Sequence, residues 1–230
     1  MYNSITTRAA VRSLLGRAPG PGFVATPGGD RLGPALDPDT VLARAYQPGP
    51  LRILFMGNLI PRKGLATLIR ALRQLPPGAA QLRVIGSQSV DPDYAARVHL
   101  LAQRLQVDAA ITWLGSLSDE AIQSEMASAH VLAVPSQYEG FGIVYLEGMR
   151  FGLPAVGGSQ GGASEIIRSG DSGWLVHWQD FQELGFRLRE WVEDRDKLAR
   201  MSLEALRRGL EFPTWQESMR QAEVFLTGLK

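Results

Sequence analysis

Short apolar runs alternate with longer amphipathic segments from residue 51 onwards. Runs with so few polar interruptions are typical of strands that are buried on both faces of a sheet. They predict strands at 51–57, 81–86, 111–115, 130–136, 154–158 and 173–176. Helical spacing of apolar residues predicts helices at 64–75, 93–106, 119–129, 142–151, 163–170, 180–193, 195–210 and 214–228. Because each strand is followed by a helix, the pattern predicts an α/β fold, a Rossmann-like, doubly wound sheet of six parallel strands.

The first 50 residues have a different pattern. A helix is predicted over 4–15, and residues 18–39 are rich in glycine and proline. Such a composition is typical of a loop or linker. The sequence therefore divides into a segment at 1–50 and a predicted domain at 51–230.

Composition excludes several classes of function. The formal net charge is +1, from 24 basic and 23 acidic residues, so nothing suggests a nucleic-acid-binding protein. Cysteine is absent, which excludes disulfides and thiolate metal sites and fits a reducing compartment. No apolar run is long enough to span a membrane, and the first residues lack the apolar centre of a signal peptide. We expect a cytoplasmic protein.

Ligands of doubly wound sheets bind beyond the carboxyl ends of the strands, so the strand-to-helix loops carry the candidate chemistry. The first such loop is GNLIPRKGL, at 57–65. Arg62 and Lys63 place two cations where a helix begins, and backbone N–H groups at that end already favour anions. The loop is a candidate diphosphate site, and a solvated turn with surface cations is the equal alternative.

The loop after the fourth strand contains a carboxylate just before a helix and a second one within it. Glu139 precedes Gly140, Phe141 and Gly142, and Glu147 follows in the helix. Ionised carboxylates accept hydrogen bonds from sugar and ribose hydroxyls, and free backbone N–H groups suit a diphosphate between them. The alternative is a capping carboxylate followed by a salt-bridged helix residue.

Two further loops have simpler interpretations. In the acidic DPD motif, Asp91 or Asp93 is predicted to cap the next helix rather than bind a metal. The glycine-rich loop at 157–166 is weak support for a phosphate or sugar cradle, and Ser164 or Glu165 is a candidate cap there.

The histidines and two tryptophans are predicted to be structural. His99, His130 and His177 have no metal-ligand spacing. Trp191 and Trp215 lie in helical patterns and are predicted to be packing residues.

Several motifs in one order resemble a known family. They are GNLIPRKG, ITWLGSLSDEAI, VLAVPSQYEGFGIVYLEGMRFGLPAV, GGASEII and SGWLV. From about 51 to 228 the chain resembles the C-terminal, donor-binding domain of a GT-B glycosyltransferase of retaining family 4, the glycosyl transferases group 1. Glu139 and Glu147 match the family's E-x7-E motif. The first 50 residues resemble the end of the acceptor-binding domain and the interdomain linker.

The resemblance implies an enzyme that transfers a sugar from a nucleotide-sugar donor to an unknown acceptor, with retention of configuration and without a metal or other cofactor. It implies catalytic roles for Glu139, Arg62 and Lys63, and ribose binding by Glu147. The implied donor-binding residues are Gly57, Asn58, Arg62, Lys63, Gly86, Ser136, Glu139, Gly140, Phe141, Gly142, Ile143 and Glu147.

The sequence also departs from the family. Gly148 replaces a usual alanine, Arg150 a small residue, and Gly28 a usual asparagine, and most of an acceptor-binding domain is missing. A non-catalytic nucleotide-sugar-binding or partner module is therefore one alternative, and a related nucleotide-sugar epimerase is another. Apolar surface on the last helix is expected to support self-association or pairing with a separate acceptor-domain chain.

Overall fold

Six parallel strands form one sheet in the computed structural model, which describes residues 1–16 and 22–228. The strands are β1 (Leu51–Met56), β2 (Ala80–Ile85), β3 (Ile111–Gly115), β4 (Val131–Val134), β5 (Ala155–Gly158) and β6 (Gly173–Val176). Their order across the sheet is β3-β2-β1-β4-β5-β6, and every neighbouring pair is parallel. The predicted doubly wound Rossmann-like fold is confirmed.

The strand order reverses at the centre of the sheet. β1 pairs with β2 along its whole length, and on its other side Ile53 and Leu54 pair with Val131 and Leu132 of β4. The chain therefore returns from the β3 edge to the centre before it continues outwards. The loops that follow β1 and β4 leave the sheet side by side, at the point where such folds bind ligands.

Helices surround the sheet. They are α1 (Ile5–Leu15), α2 (Pro38–Ala45), α3 (Leu65–Leu72), α4 (Pro92–Arg104), α5 (Asp119–Ser128), α6 (Ile143–Arg150), α7 (Ala163–Ile166), α8 (Phe181–Glu193), α9 (Arg195–Leu210) and α10 (Trp215–Thr227). Short 3₁₀ turns occur at Pro61–Lys63 and Asp108–Ala110. The predicted helices are present, but α7 ends at Ile166, well before residue 170.

Helix α2 was not predicted and begins at the end of the predicted loop at 18–39. The Asp37 side chain accepts a hydrogen bond from the Thr40 N–H, and Pro38 occupies the first turn. Arg44 of α2 is buried and donates from Nη2 to the carbonyls of Phe151 (2.7 Å) and Gly152 (2.9 Å) at the end of α6. Hydrogen bonds from α2 therefore attach the segment before β1 to the sheet domain. Residues 18–21 of the predicted loop lie outside the described residues.

The core places α6 against the centre of the sheet. β4 is buried along its whole length, and α6 is buried from Val144 to Arg150. Helix α9 packs on α6, and a Cβ on Gly209 would lie only 2.9 Å from the Arg150 nitrogen. Trp191 is fully buried, as expected of a packing residue, whereas Trp215 is 37% exposed and packs only in part.

Candidate functional site

The loops that follow β1 and β4 are in direct backbone contact. The Gln137 N–H donates to the Arg62 carbonyl at 2.8 Å. Gly64 has a φ of +74°, and a Cβ there would lie 2.1 Å from the Pro135 carbonyl oxygen. Only glycine fits this conformation and this approach. The sheet and these contacts together bring the cations of the first loop to the first glutamate.

Four of the predicted residues form one ion cluster. Glu139 Oε1 accepts hydrogen bonds from Lys63 Nζ (2.7 Å) and Ser136 Oγ (2.7 Å), while Arg62 Nη1 lies 3.6 Å from Glu139 Oε2. Arg62 also donates to the Tyr138 carbonyl at 2.5 Å. Two cations therefore face one carboxylate, which leaves one positive charge (two minus one) for an anionic ligand.

Burial differs among the charged residues of this cluster. The side chain of Lys63 is 16% exposed and that of Glu139 11%, so neither is a solvated surface charge. The Arg62 side chain is 45% exposed. The N-cap of α6 is Gly142, with no side-chain hydrogen bond, so Glu139 does not cap that helix. Its carboxylate is instead held by Lys63 and Ser136 at a fixed position.

Glycines of the loop after β5 pack against the backbone of the glutamate loop. A Cβ on Gly158 would lie 1.7 Å from the Ser136 carbonyl oxygen, and one on Gly161 would lie 2.3 Å from the Glu139 carbonyl oxygen. The Gly162 N–H donates to that same Glu139 carbonyl at 2.7 Å. This close packing accounts for the glycine-rich sequence without a bound phosphate or sugar.

Tyr145, which sequence reasoning missed, fixes the start of α6 against β4. Its hydroxyl donates to the Val134 carbonyl at 2.6 Å. Its ring packs against Gly142, where an added Cβ would lie 2.6 Å from Tyr145 Cδ2. Burial, followed by the charge of Glu139, raises the pKa of the Tyr145 phenol, so the group remains a neutral donor. The signal available in the sequence was a tyrosine within an otherwise apolar helix, between two glutamates.

The remaining predicted residues lie at the same edge of the sheet. A Cβ on Gly86 would lie 1.9 Å from the Gly57 carbonyl oxygen, and one on Gly57 would lie 3.3 Å from Lys63 Cδ. Asn58 is exposed, and Ile143 is half-buried in the first turn of α6. The ends of β1 and β2 therefore continue the surface beside Lys63.

Glu147, the second glutamate, contacts a different cation. Its side chain is 1% exposed and pairs with Arg31, whose Nε lies 2.7 Å from Oε1 and whose Nη2 lies 3.3 Å from Oε2. Arg31 Nη1 also pairs with Asp119 at the start of α5. The hydrogen bonds to Glu147 raise the pKa of Arg31, so the guanidinium stays charged. Glu147 therefore makes the contact of a salt-bridged helix residue, which was the alternative interpretation of this glutamate.

The N-terminal segment also contacts this region. Ser4 Oγ and Thr7 Oγ1 donate to the Gly140 carbonyl, at 2.6 and 3.0 Å. Glu165 accepts hydrogen bonds from the Ile5 and Thr6 N–H groups of α1, at 2.9 and 2.7 Å. The expectation that Glu165 caps its own helix is wrong because it binds the start of α1.

Ser164 does not cap α7 either. Its hydroxyl donates to the Gly161 carbonyl at 3.2 Å, and α7 has no side-chain cap.

Other predicted features have structural roles. Asp91 caps α4 through the Tyr94 N–H at 2.9 Å, as predicted for the DPD motif. His130 Nδ1 accepts from the Arg52 N–H, and its Nε2–H donates to the Arg44 carbonyl, both at 3.0 Å. Within 1–16 and 22–228, we find no cluster of three acidic or histidine side chains that could hold a metal ion.

The last helix carries exposed apolar surface, as predicted. Met219 is 62% exposed, Val224 66% and Leu226 53%. Trp215, Met219 and Leu226 line a cavity of about 590 Å³ between α10 and the N-terminal segment. None of the helices in the described part of the chain is long and apolar enough to cross a membrane.

Comparison with protein-family models assigns residues 44–208 to the family described as "Glycosyl transferases group 1". The match covers more than half of the chain and includes the loops after β1, β4 and β5.

Individual relatives are about twice as long as this chain. One relative is a D-inositol 3-phosphate glycosyltransferase of Nocardia farcinica, which is 32% identical to this chain in the aligned region. That region covers 73% of this chain and 39% of the relative. A second relative is a GDP-mannose-dependent mannosyltransferase of Mycobacterium tuberculosis that acts on phosphatidylinositol monomannoside, with 29% identity. The aligned region covers 75% of this chain and 46% of that relative. The chain thus spans about half the length of these curated relatives, or less.

Solved structures share the fold. HepE of Anabaena, in complex with UDP and glucose, superposes with a TM-score of 0.86 and 27% identity, over 98% of this chain and 62% of that one. The C-terminal domain of a Francisella tularensis group 1 glycosyl transferase, LpcC, superposes with a TM-score of 0.65 and 22% identity, over 76% of this chain and 92% of that one. From the family match and the shared fold, we conclude that this chain belongs to the glycosyl transferases group 1 family.

Proposed function

We propose that residues 51–228 form the donor-binding domain of a retaining glycosyltransferase that uses a nucleotide sugar. The observation that carries this proposal is the contact of Lys63 with Glu139 at the point where the strand order reverses. An excess positive charge there suits a diphosphate, and a fixed carboxylate suits a sugar hydroxyl. The relatives include a GDP-mannose-dependent enzyme and a protein that binds UDP and glucose, which agrees with this ligand class.

The chemistry follows from the charges. As the bond between the anomeric carbon and the diphosphate oxygen breaks, negative charge builds up on the leaving diphosphate. Lys63 and Arg62 stabilise that charge, together with backbone N–H groups at the start of α6, so no metal ion or other cofactor is required. Glu139 accepts a hydrogen bond from the donor sugar and stabilises the positive charge on its ring. Glu147 binds the ribose hydroxyls.

Retention follows if the acceptor attacks on the face that the diphosphate leaves. The acceptor oxygen bonds to the anomeric carbon, the diphosphate carries away the electron pair, and the acceptor proton passes to a phosphate oxygen. Glu139 positions the sugar in this scheme and forms no covalent bond. The acceptor is unknown and is bound by another domain or chain, and the reaction takes place in the cytoplasm.

The test is nucleotide binding and turnover by the Glu139→Gln variant. Bare UDP, GDP or ADP should bind it at least as tightly as the native chain, because a negative charge beside the diphosphate is removed. The preference for the corresponding nucleotide sugar over the bare nucleotide should be lost, and any transfer or donor hydrolysis should fall by about a hundredfold or more. Calorimetry and product analysis measure these changes.

The matched control is Glu125→Gln, which removes a carboxylate paired with Arg83 away from this loop. It should leave nucleotide binding unchanged. If millimolar UDP, GDP and ADP all fail to raise the melting temperature of the native chain, the donor-site proposal is refuted. Binding without turnover would favour the alternative of a nucleotide-sugar-binding module.

A further inference from the structure

The carboxylate of Glu147 is covered by Arg31. The Glu147 side chain is 1% exposed, whereas the Arg31 side chain above it is 38% exposed. Two guanidinium nitrogens of Arg31 contact the two carboxylate oxygens, at 2.7 and 3.3 Å. A carboxylate with this exposure cannot be reached by a hydroxyl group from outside while the guanidinium stays in place.

Asp119 gives the Arg31 guanidinium a second anionic partner. Its side chain is 55% exposed and already pairs with Arg31 Nη1. Loss of the Glu147 contact would therefore leave Arg31 with an anionic partner instead of an unpaired charge. This second partner lowers the free-energy cost of displacing Arg31 from Glu147.

The backbone around Arg31 is anchored, so movement is confined to the side chain. Asp30 Oδ1 accepts a hydrogen bond from the Trp215 N–H at 2.7 Å, and the Gly29 N–H donates to the Pro213 carbonyl at 3.3 Å. On the other side, Leu32 is buried in the core. Rotation about the flexible bonds of the arginine side chain is sufficient to uncover Glu147.

We propose that Arg31 is a displaceable cover on Glu147 that sets the affinity for the donor nucleotide. The ribose hydroxyls displace the guanidinium from Glu147, and Arg31 keeps its contact with Asp119. This inference rests on the proposed role of Glu147 as the ribose acceptor. It assigns to Arg31 a direct competition with the ligand, since both need the same two oxygens.

The test is a comparison of UDP and GDP binding to the native chain, Arg31→Ala and Arg31→Gln. Both variants should bind the better of the two nucleotides about tenfold more tightly, which corresponds to about 1.4 kcal/mol. In the Glu147→Gln background, the same Arg31 substitutions should give no gain, because the competing ion pair is already gone. A structural role of Arg31 would not produce this dependence on Glu147.

Arg83→Ala is the matched control, since Arg83 forms a two-point pair with Glu125 elsewhere on the domain. It should not change nucleotide affinity. If the native chain binds a nucleotide and the Arg31 variants bind it equally or more weakly, the proposed role of Arg31 as a cover is overturned. The donor-site proposal is not affected by that result. Absence of binding in the native chain and in every variant would overturn both.

Discussion

His130 should make the stability of this protein fall steeply in mild acid. The imidazole is 1% exposed, and both ring nitrogens are engaged with backbone groups. Burial, followed by the positive charges of Arg52, Arg195 and Arg44, lowers the pKa of His130 to about 3. The ring is therefore neutral in the folded protein, whereas in the unfolded chain it has a pKa of about 6.5.

The direction of the effect follows from proton uptake. Between about pH 6.5 and 3 the unfolded chain binds one more proton at this site than the folded protein, so stability decreases as the pH falls. At pH 5 a folded-state pKa near 3 corresponds to a loss of about 2 kcal/mol relative to pH 8, as an upper limit. For a chain of this size, that is a decrease of about 4–8 °C in melting temperature.

Urea unfolding at several pH values between 5 and 8 measures this loss, with His130→Gln as the perturbation. The glutamine does not titrate, so the difference in unfolding free energy between the native chain and the variant should shrink by about 2 kcal/mol as the pH falls from 8 to 5. His177→Gln is the control, because His177 is exposed, and its curve should run parallel to the native one. Parallel curves for His130→Gln as well would refute the reasoning.

Two further substitutions test the packing of the site. Gly158→Ala places a Cβ 1.7 Å from the Ser136 carbonyl oxygen, so it should lower the unfolding free energy by about 3 kcal/mol or more, measured by urea unfolding. A stability within 1 kcal/mol of native would contradict the observed contact. Tyr145→Phe removes one of two donors to the buried Val134 carbonyl, which keeps the Ser136 N–H at 2.7 Å, so it should cost only about 1 kcal/mol, seen as a lower melting temperature. An unchanged melting temperature would show that this hydrogen bond contributes nothing.

The fold was predictable because its signals are local. Each buried parallel strand is a continuous apolar run, and the observed bounds of β1 to β6 lie within two residues of the predicted ones. Helix α2 was missed because its eight residues follow a segment dominated by glycine and proline. Its signals were the cap at Asp37 and the proline after it, the same arrangement that begins α4.

The site was predictable only where its groups lie in strand-to-helix loops. The sequence indicates that Arg62, Lys63 and Glu139 follow the first and fourth strands, and the structure brings them together. Arg31 lies 116 residues from Glu147, and no local pattern shows that they pair. Glu165 likewise binds the start of α1, about 160 residues earlier, instead of its own helix. Partners at such separations are set by the tertiary fold.

The backbone contact of Gly64 with Pro135 limits how this site can be altered. The loops that carry Lys63 and Glu139 are locked together through their main chains, so neither charge can be repositioned without rebuilding the centre of the sheet. Attempts to redesign ligand preference should therefore leave that pair untouched. They should vary Asn58, whose side chain is exposed beside Lys63.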